Sequence, residues 1–252
     1  MSVILLMGVS NAWGGDRIYL KPNSNWTSDG ARFAAYFFGN GEKWVSMTCY
    51  RSDLYSVEVP TGFKQVIFCR MTPDAAINNW NNTWNQSGDL TIPTNGDNLF
   101  TVPSGSWNGS TSSWSKHTPA DQVVYLKPTD LWNKDGARFA AYAFNGCDNE
   151  WIDLNEIGCA GEYYTCTIPD KYHQVIFGRM APNGTNGWTE NTQIWNKSGD
   201  LTIEKGKCYT ISFTGNGTGT AASGSWGTYT ASTYSITKPA TTTGGTIDIS
   251  KS

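Results

Sequence analysis

Tyr19-Leu20-Lys21-Pro22 and, shortly after it, Asp29-Gly30-Ala31-Arg32-Phe33-Ala34-Ala35-Tyr36 decide the fold, because both occur twice. They return as Tyr125-Leu126-Lys127-Pro128 and Asp135-Gly136-Ala137-Arg138-Phe139-Ala140-Ala141-Tyr142, each 106 positions later (19 to 125, 29 to 135). Gln65-Val66-Ile67-Phe68 comes back as Gln174-Val175-Ile176-Phe177, and Arg70-Met71 as Arg179-Met180. Trp84-Asn85, with Ser87-Gly88-Asp89-Leu90-Thr91-Ile92, matches Trp195-Asn196, with Ser198-Gly199-Asp200-Leu201-Thr202-Ile203. A period this long is wrong for a solenoid and right for a domain. The chain therefore reads as two tandem copies, residues 17–118 and 119–236. A segment 1–16 precedes them, and a Thr/Gly-rich tail, 237–252, follows as a linker or disordered end.

Inside each copy the pattern is strand throughout. In the first, short β-rich runs at 18–21, 32–38, 55–59, 65–70, 89–92 and 99–102 are separated by turn residues such as Asp29-Gly30, Gly39-Asn40-Gly41 and Asn95-Gly96-Asp97. No segment keeps a helical period. Strands at that spacing in about 100 residues fit an immunoglobulin-like sandwich, so the expected class is all-β, two tandem immunoglobulin-like β-sandwich domains. Along 32–38 the alternation sends Phe33, Ala35 and Phe37 to one face and Ala34, Tyr36 and Phe38 to the other.

Composition narrows the function. Of 252 residues only 15% are charged, below the roughly 25% of average globular chains, and the net charge is −3. That leaves no basic footprint for nucleic acid or an anionic membrane, and no run of apolar residues is long enough to span a bilayer. Two His and no recurring ligand spacing predict no metal and no cofactor. The six Cys contain no CxxC pair. Cys159 and Cys166 are placed to close a hairpin, whereas Cys69 reads as a small buried residue. Val3-Ile4-Leu5-Leu6-Met7 ahead of Ser10-Asn11-Ala12 resembles a signal-peptide remnant lacking a basic n-region, which favours secretion.

Catalytic candidates are absent. Asp29 and Asp135 recur but precede Gly, where Asp serves turn geometry. Neither His117 nor His173 has a counterpart, and no pair of acids flanks the aromatics as glycoside hydrolysis requires. The aromatics, 13% of the chain with 12 Trp, are different. Trp26 and Trp132 read as packing residues, as do Trp107 and Trp226 in matching Ser-Gly-Ser-Trp. Arg70 and Arg179 are candidates to line the site, although an Arg at a strand edge is more often solvated. Tyr36, Trp44 after a Gly-rich turn, and Trp80 within Asn78-Asn79-Trp80-Asn81-Asn82 form a series that core packing does not demand. The second copy offers Tyr142, Trp151 and Trp188. Aromatic faces pack on the CH patches of sugars, and amides bind hydroxyls.

These residues carry a resemblance. A strand Tyr, a Trp eight residues on, Val-Ile-Phe, then an Asn-Asn-Trp-Asn loop is similar to the starch-binding carbohydrate-binding modules of families 26 and 25. The likeness spans roughly residues 17–115 and 122–236. It implies a bacterial protein, extracellular or at the cell surface, with no enzymatic activity of its own. It implies non-catalytic binding of starch, glycogen or maltooligosaccharides, by stacking on an exposed strip of three aromatics per module, in a monomer with two sites acting in tandem. The ligand-binding set it implies is Tyr36, Trp44, Asn79, Trp80 and Gln86, with Tyr142, Trp151 and Trp188; Trp84 and Trp195, which border a strand, join the candidates from their position alone, evenly balanced between binding and packing. The second copy departs through an insertion around Cys147 and a loop reading Asn186-Gly187-Trp188, one Asn short. The alternative is a structural or adhesive sandwich pair whose aromatics bury a protein–protein interface.

Overall fold

The computed structural model describes residues 16–109, 112–158, 161–213, 221–231, 234–237 and 248–251. The protein is all-β. It divides into two compact units, Met1–Pro119 and Ala120–Ser252, each a sandwich-like pair of sheets. The N-terminal apolar run and Cys159 lie outside the described residues.

In the first unit the strands are β1 (Arg17–Lys21), β2 (Arg32–Phe38), β3 (Lys43–Ser46), β4 (Thr48–Arg51), β5 (Leu54–Glu58), β6 (Gln65–Met71), β7 (Thr83–Gln86), β8 (Leu90–Thr91), β9 (Leu99–Thr101) and β10 (Trp114–Ser115). One sheet runs β10-β9-β1-β5-β4, with β1 parallel to β9; the other runs β3-β2-β6-β7, with β8 also on β6. The second unit repeats this plan with β11 (Gln122–Lys127), β12 (Arg138–Phe144), β13 (Asn149–Asp153), β14 (Asn155–Ile157), β15 (Tyr163–Ile168), β16 (Gln174–Met180), β17 (Ile194–Lys197), β18 (Leu201–Thr202), β19 (Lys207–Ile211) and β20 (Gly224–Thr228). Its sheets run β14-β15-β11-β19-β20 and β13-β12-β16-β17, with β18 on β16. In the tail, Asp248–Lys251 pairs antiparallel with Tyr234–Thr237.

The pleat divides the side chains as the alternation requires. Ile18, Leu20, Phe33, Ala35, Phe37, Val66, Phe68 and Phe100 fill the core of the first unit; Val124, Leu126, Phe139, Ala141, Phe177 and Tyr209 do so in the second. Trp26 and Trp132 are fully buried and stack on Phe33 and Phe139 at centroid distances of 6.2 and 6.1 Å. Trp226 packs on Tyr209 and Phe177 as a closing-strand residue. Trp107 does not do the same: it is 46% exposed, and the place of Trp226 is taken by Trp114, 5.7 Å from Phe100 and 5.9 Å from Phe68. The matching Ser-Gly-Ser-Trp tetrapeptides therefore do not align in space. Trp114 pairs with Phe100 on β9, as Trp226 pairs with Tyr209 on β19, whereas Trp107 lies in the loop between β9 and β10 with no partner strand to bring it inward.

Arg70 and Arg179 are buried, not solvated, at 3% and 2% exposure. Each lies directly opposite the inward Phe33 or Phe139 and shares its face. Arg70 donates to the Trp26 carbonyl (2.9 Å), the Ser28 carbonyl (2.8 Å) and the Asp29 carboxylate (2.8 Å). Arg179 repeats this with the carbonyls of Trp132 and Lys134 and with Asp135. Asp29 and Asp135 hold φ of +58° and +64°, a left-handed conformation that Asp tolerates better than most residues. The turn role of these acids stands, and the arginine is what fastens the turn to the sheet.

Cys49 and Cys147 are disulfide-bonded, whereas Cys69, Cys166 and Cys208 are free and buried. Cys166 therefore does not close the expected hairpin with Cys159. Its side chain points into the core beside Val124 and Ile168, away from the surface where a hairpin bridge would sit. Burial pushes the thiols of Cys69 and Cys166 up to about 12. Iodoacetamide at pH 8 should leave both unalkylated in the native protein and label both in urea, as read by peptide mass mapping.

Arg70→Ala takes the side-chain donor from the Trp26 carbonyl, leaves the Ser28 carbonyl only its bond from Ala31 N, and should lower the stability of the first unit by about 3 kcal/mol in urea unfolding. The Asp29 carboxyl is held below the usual range, chiefly by the Ser28 hydroxyl and then by Arg70. A depressed carboxyl stabilises the fold above its unfolded pKa and loses that contribution as pH falls through the folded one. The thermal stability gap between wild type and Asp29→Asn should therefore be widest near neutrality and close below about pH 4.

Candidate functional site

The outward face of β2 is apolar although it faces away from the core. Ala34, Tyr36, Ile67, Cys69 and Met71 form a second cluster there, with Phe38 and Trp44 packed against it. Register builds it: Tyr36 stands opposite Ile67 on β6 and opposite Trp44 on β3. Trp80 arrives from the loop after β6. The three rings meet pairwise, Tyr36–Trp44 at 5.0 Å, Tyr36–Trp80 at 4.7 Å and Trp44–Trp80 at 4.8 Å, with interplanar angles of 48–70°. The second unit reproduces the triangle with Tyr142–Trp151 at 5.1 Å, Tyr142–Trp188 at 4.9 Å and Trp151–Trp188 at 4.7 Å.

Not all three rings stand in solvent. Trp80 and Trp188 are 44% and 41% exposed, Trp44 and Trp151 are half-buried, and Tyr36 is only 8% exposed. Tyr36 is the floor under the two indoles because strands flank it on both sides. Its phenol is pushed up by burial and then by the nearby Glu42 carboxylate.

A tryptophan on a polar loop needs the loop to be fixed, and Arg32 does this. Its Nε donates to the Thr72 carbonyl (3.1 Å), Nη2 to the Ile77 carbonyl (3.1 Å) and Nη1 to Asn78 Oδ1; Asn78 Nδ2 then donates to Ser46 Oγ (3.1 Å). In the second unit Arg138 reaches the Ala181 carbonyl (3.1 Å), the Gly184 carbonyl, Asn186 Oδ1 (2.6 Å) and Asp153 (3.0 Å). Arg32, Arg138, Asn78 and Asn186 were not singled out by their sequence context. The signal was present in Arg32 and Arg138, which recur at the first residue of a strand whose next six residues are all uncharged.

The remaining candidates separate. Asn79 caps the 3₁₀ turn Trp80–Asn82, its Oδ1 accepting from Asn82 N at 3.0 Å, so it shapes the loop carrying Trp80. The second unit has Gly187 there, because a Cβ would collide with the amide of Gln193, which accepts from Thr189 N at 3.0 Å and secures that loop instead. Gln86 pairs with Cys69 across β6–β7 and is exposed on the aromatic face. Trp84 and Trp195 do not join the triangles. They lie over the guanidinium groups of Arg70 and Arg179, each at 4.6 Å, on the side of the sheet that faces inward. Trp107 covers Arg70 as well, at 5.4 Å.

No protein-family model matches the chain, and no curated protein does. Several solved structures are similar to it at low scores. One is a product complex of SpuA, a multi-modular glycogen-degrading pneumococcal virulence factor, at 11% identity and a TM-score of 0.26. The match covers 77% of this chain and 20% of that one, so the chain spans about a fifth of that protein's length. Another is a structure of family 41 carbohydrate-binding modules from streptococcal virulence factors, described as recognising α-glucan: 8% identity, TM-score 0.26, covering 78% of this chain and 93% of that one. A shaft pilin SpaA from Lactobacillus rhamnosus GG matches at 12% identity and a TM-score of 0.21, covering 77% and 95%. Scores this low transfer no property to this chain, and no match singles out families 26 or 25. What the site does follows from its own residues.

Because Arg32 holds the loop and not the core, Arg32→Ala should cost the first unit little in thermal stability. It should speed proteolytic cleavage between residues 72 and 82 several-fold, while the equivalent loop of the second unit stays resistant.

Proposed function

We propose that the chain is a non-catalytic binder of α-1,4-glucan such as starch, glycogen or maltooligosaccharides, with one site on each unit. The observation that carries the reading is the aromatic triangle built twice on the outward sheet face. A tyrosine floor, buried in the first unit and half-buried in the second, supports two indoles that are part-exposed to water. Large aromatic surface left in solvent on a loop tied down by an arginine is a preformed platform, so little ordering is lost when a pyranose ring settles on it. In the first unit Gln86 stands beside the platform as a donor and acceptor for hydroxyls.

Absence of chemistry is part of the proposal. A glycosidase acid needs a raised pKa and a partner carboxylate roughly 5–10 Å away. The carboxyls displaced from their usual range among the described residues, Asp29, Asp53 and Asp148, are all displaced downward. Two linked sites raise avidity on a polymer through effective concentration. The half-cystines Cys49 and Cys147 favour an oxidising location, outside the cell or on its surface.

The edge-to-face packing of the rings also suits a groove for a protein side chain, which is the second reading. Calorimetry with maltoheptaose separates the two, since an interface gives no heat with a free sugar. Trp44→Ala combined with Trp151→Ala should abolish retardation in starch-containing native gels while leaving far-ultraviolet circular dichroism unchanged. Unchanged mobility of that folded double variant would overturn the glucan reading.

A further inference from the structure

The two triangles share their rings but not their charges. Near Tyr36, two residues before Trp44, stands Glu42, whose carboxylate helps to push the phenol up. In the second unit the β12–β13 register puts Asn149, an uncharged residue, in the position of Glu42. The reverse change occurs on the neighbouring strand. Gln86 pairs with Cys69, and its counterpart Lys197 pairs with Gly178, so both project from the same point of the outward face. Lys197 places its ammonium 4.9 Å from the ring of Trp188, the exposed indole of the second site.

That ammonium is unlike the others that sit on rings. Lys171 lies over Tyr172 and is paired with Asp148 at 2.6 Å; Lys127 lies over Tyr163 and is paired with Glu162 at 3.7 Å. Lys197 has no carboxylate partner among the described residues, and it is exposed. The acid on its face of the sheet, Asp153, is taken by Arg138 and Asn186. A neutral pyranose settling on Trp188 meets an ammonium with no counterion. An acidic sugar settling there supplies one.

We propose that the second site is selective for a glycan carrying an anionic substituent, a carboxylate or a phosphate monoester on the hexose, with Lys197 as the residue that reads it. The first site, with the uncharged Gln86 in place of the cation and Glu42 beside its tyrosine, takes the neutral glycan. This rests on the platform reading above: the rings bind the sugar, and the charge chooses which sugar.

The experiment uses the full chain and three probes: maltoheptaose, a maltooligosaccharide bearing glucose 6-phosphate, and an oligogalacturonide. Calorimetry is run at about 20 mM and about 500 mM salt. For wild type, one or both anionic probes should bind the second site more tightly than maltoheptaose at low salt, by about three- to fivefold, the scale of one exposed charge pair, and lose the advantage at high salt. Which of the two does so tells carboxylate from phosphate. Lys197→Gln should remove the advantage while keeping maltoheptaose binding. Lys197→Arg should retain it, and Gln86→Lys with Glu42→Gln should create it in the first unit. Equal binding of all three probes by wild type and Lys197→Gln overturns the proposal and leaves the platform reading intact. No heat with any probe overturns both.

Discussion

Everything at the surface of this protein depends on the two-residue repeat of one strand. Along Arg32–Phe38 the pleat sends Phe33, Ala35 and Phe37 inward, and Ala34, Tyr36 and Phe38 outward. The same strand is therefore core and platform at once. A slip of one residue against β6 would exchange the two sets, placing three core side chains in water and a phenol inside. Register here is fixed from both sides: on the inward face by Phe33 opposite Arg70, and on the outward face by Tyr36 between Ile67 and Trp44. The buried guanidinium adds a lock of its own, since its fan of donors fits only when the Asp-Gly turn lies across the end of the strand.

What the sequence made legible was whatever the chain writes locally. Alternation on 32–38 gave both faces, Asp before Gly gave the left-handed turn, and the duplicated Tyr, Trp and Trp gave the members of each triangle. What it hid was set by distant partners. Arg70 looks like an edge residue until Trp26 and Ser28, more than forty positions upstream, bring their carbonyls to it. Trp107 and Trp114 cannot be told apart by their neighbours in the chain, because only the pairing of Trp114 with Phe100 pulls one of them inward. Trp84 shares a strand with Gln86, yet a register shift between Arg70 and Met71 carries it to the other side, over a cation instead of beside Trp80. The position of Glu42, like that of Lys197, acquires meaning only once the registers are known.

The two units show how a duplicated scaffold keeps a shape while its loops are solved anew. Trp80 is positioned by Asn79 capping a 3₁₀ turn; Trp188 is positioned by Gln193 reaching across from the far side of its loop into the space Gly187 leaves open. Ser46 in one unit and Asp153 in the other receive the same asparagine amide. Local hydrogen-bonding solutions changed, and the ring triangle kept its centroid spacings within a few tenths of an ångström. Packing of large rigid rings tolerates little variation, whereas amide networks offer many equivalent arrangements.

The parallel pairing of the first strand with the ninth has a consequence for how the chain acquires its shape. Tyr19 finds Leu99, and Tyr125 finds Cys208, roughly eighty residues later in each case. While the polypeptide emerges from the ribosome, one side of the opening strand waits with unsatisfied amide and carbonyl groups until nearly the entire unit has been made. Such long-range closure slows folding and leaves a sticky edge exposed to other nascent chains. The second unit opens on a strand of nearly the same sequence, Tyr125-Leu126-Lys127 for Tyr19-Leu20-Lys21, and its closure waits just as long.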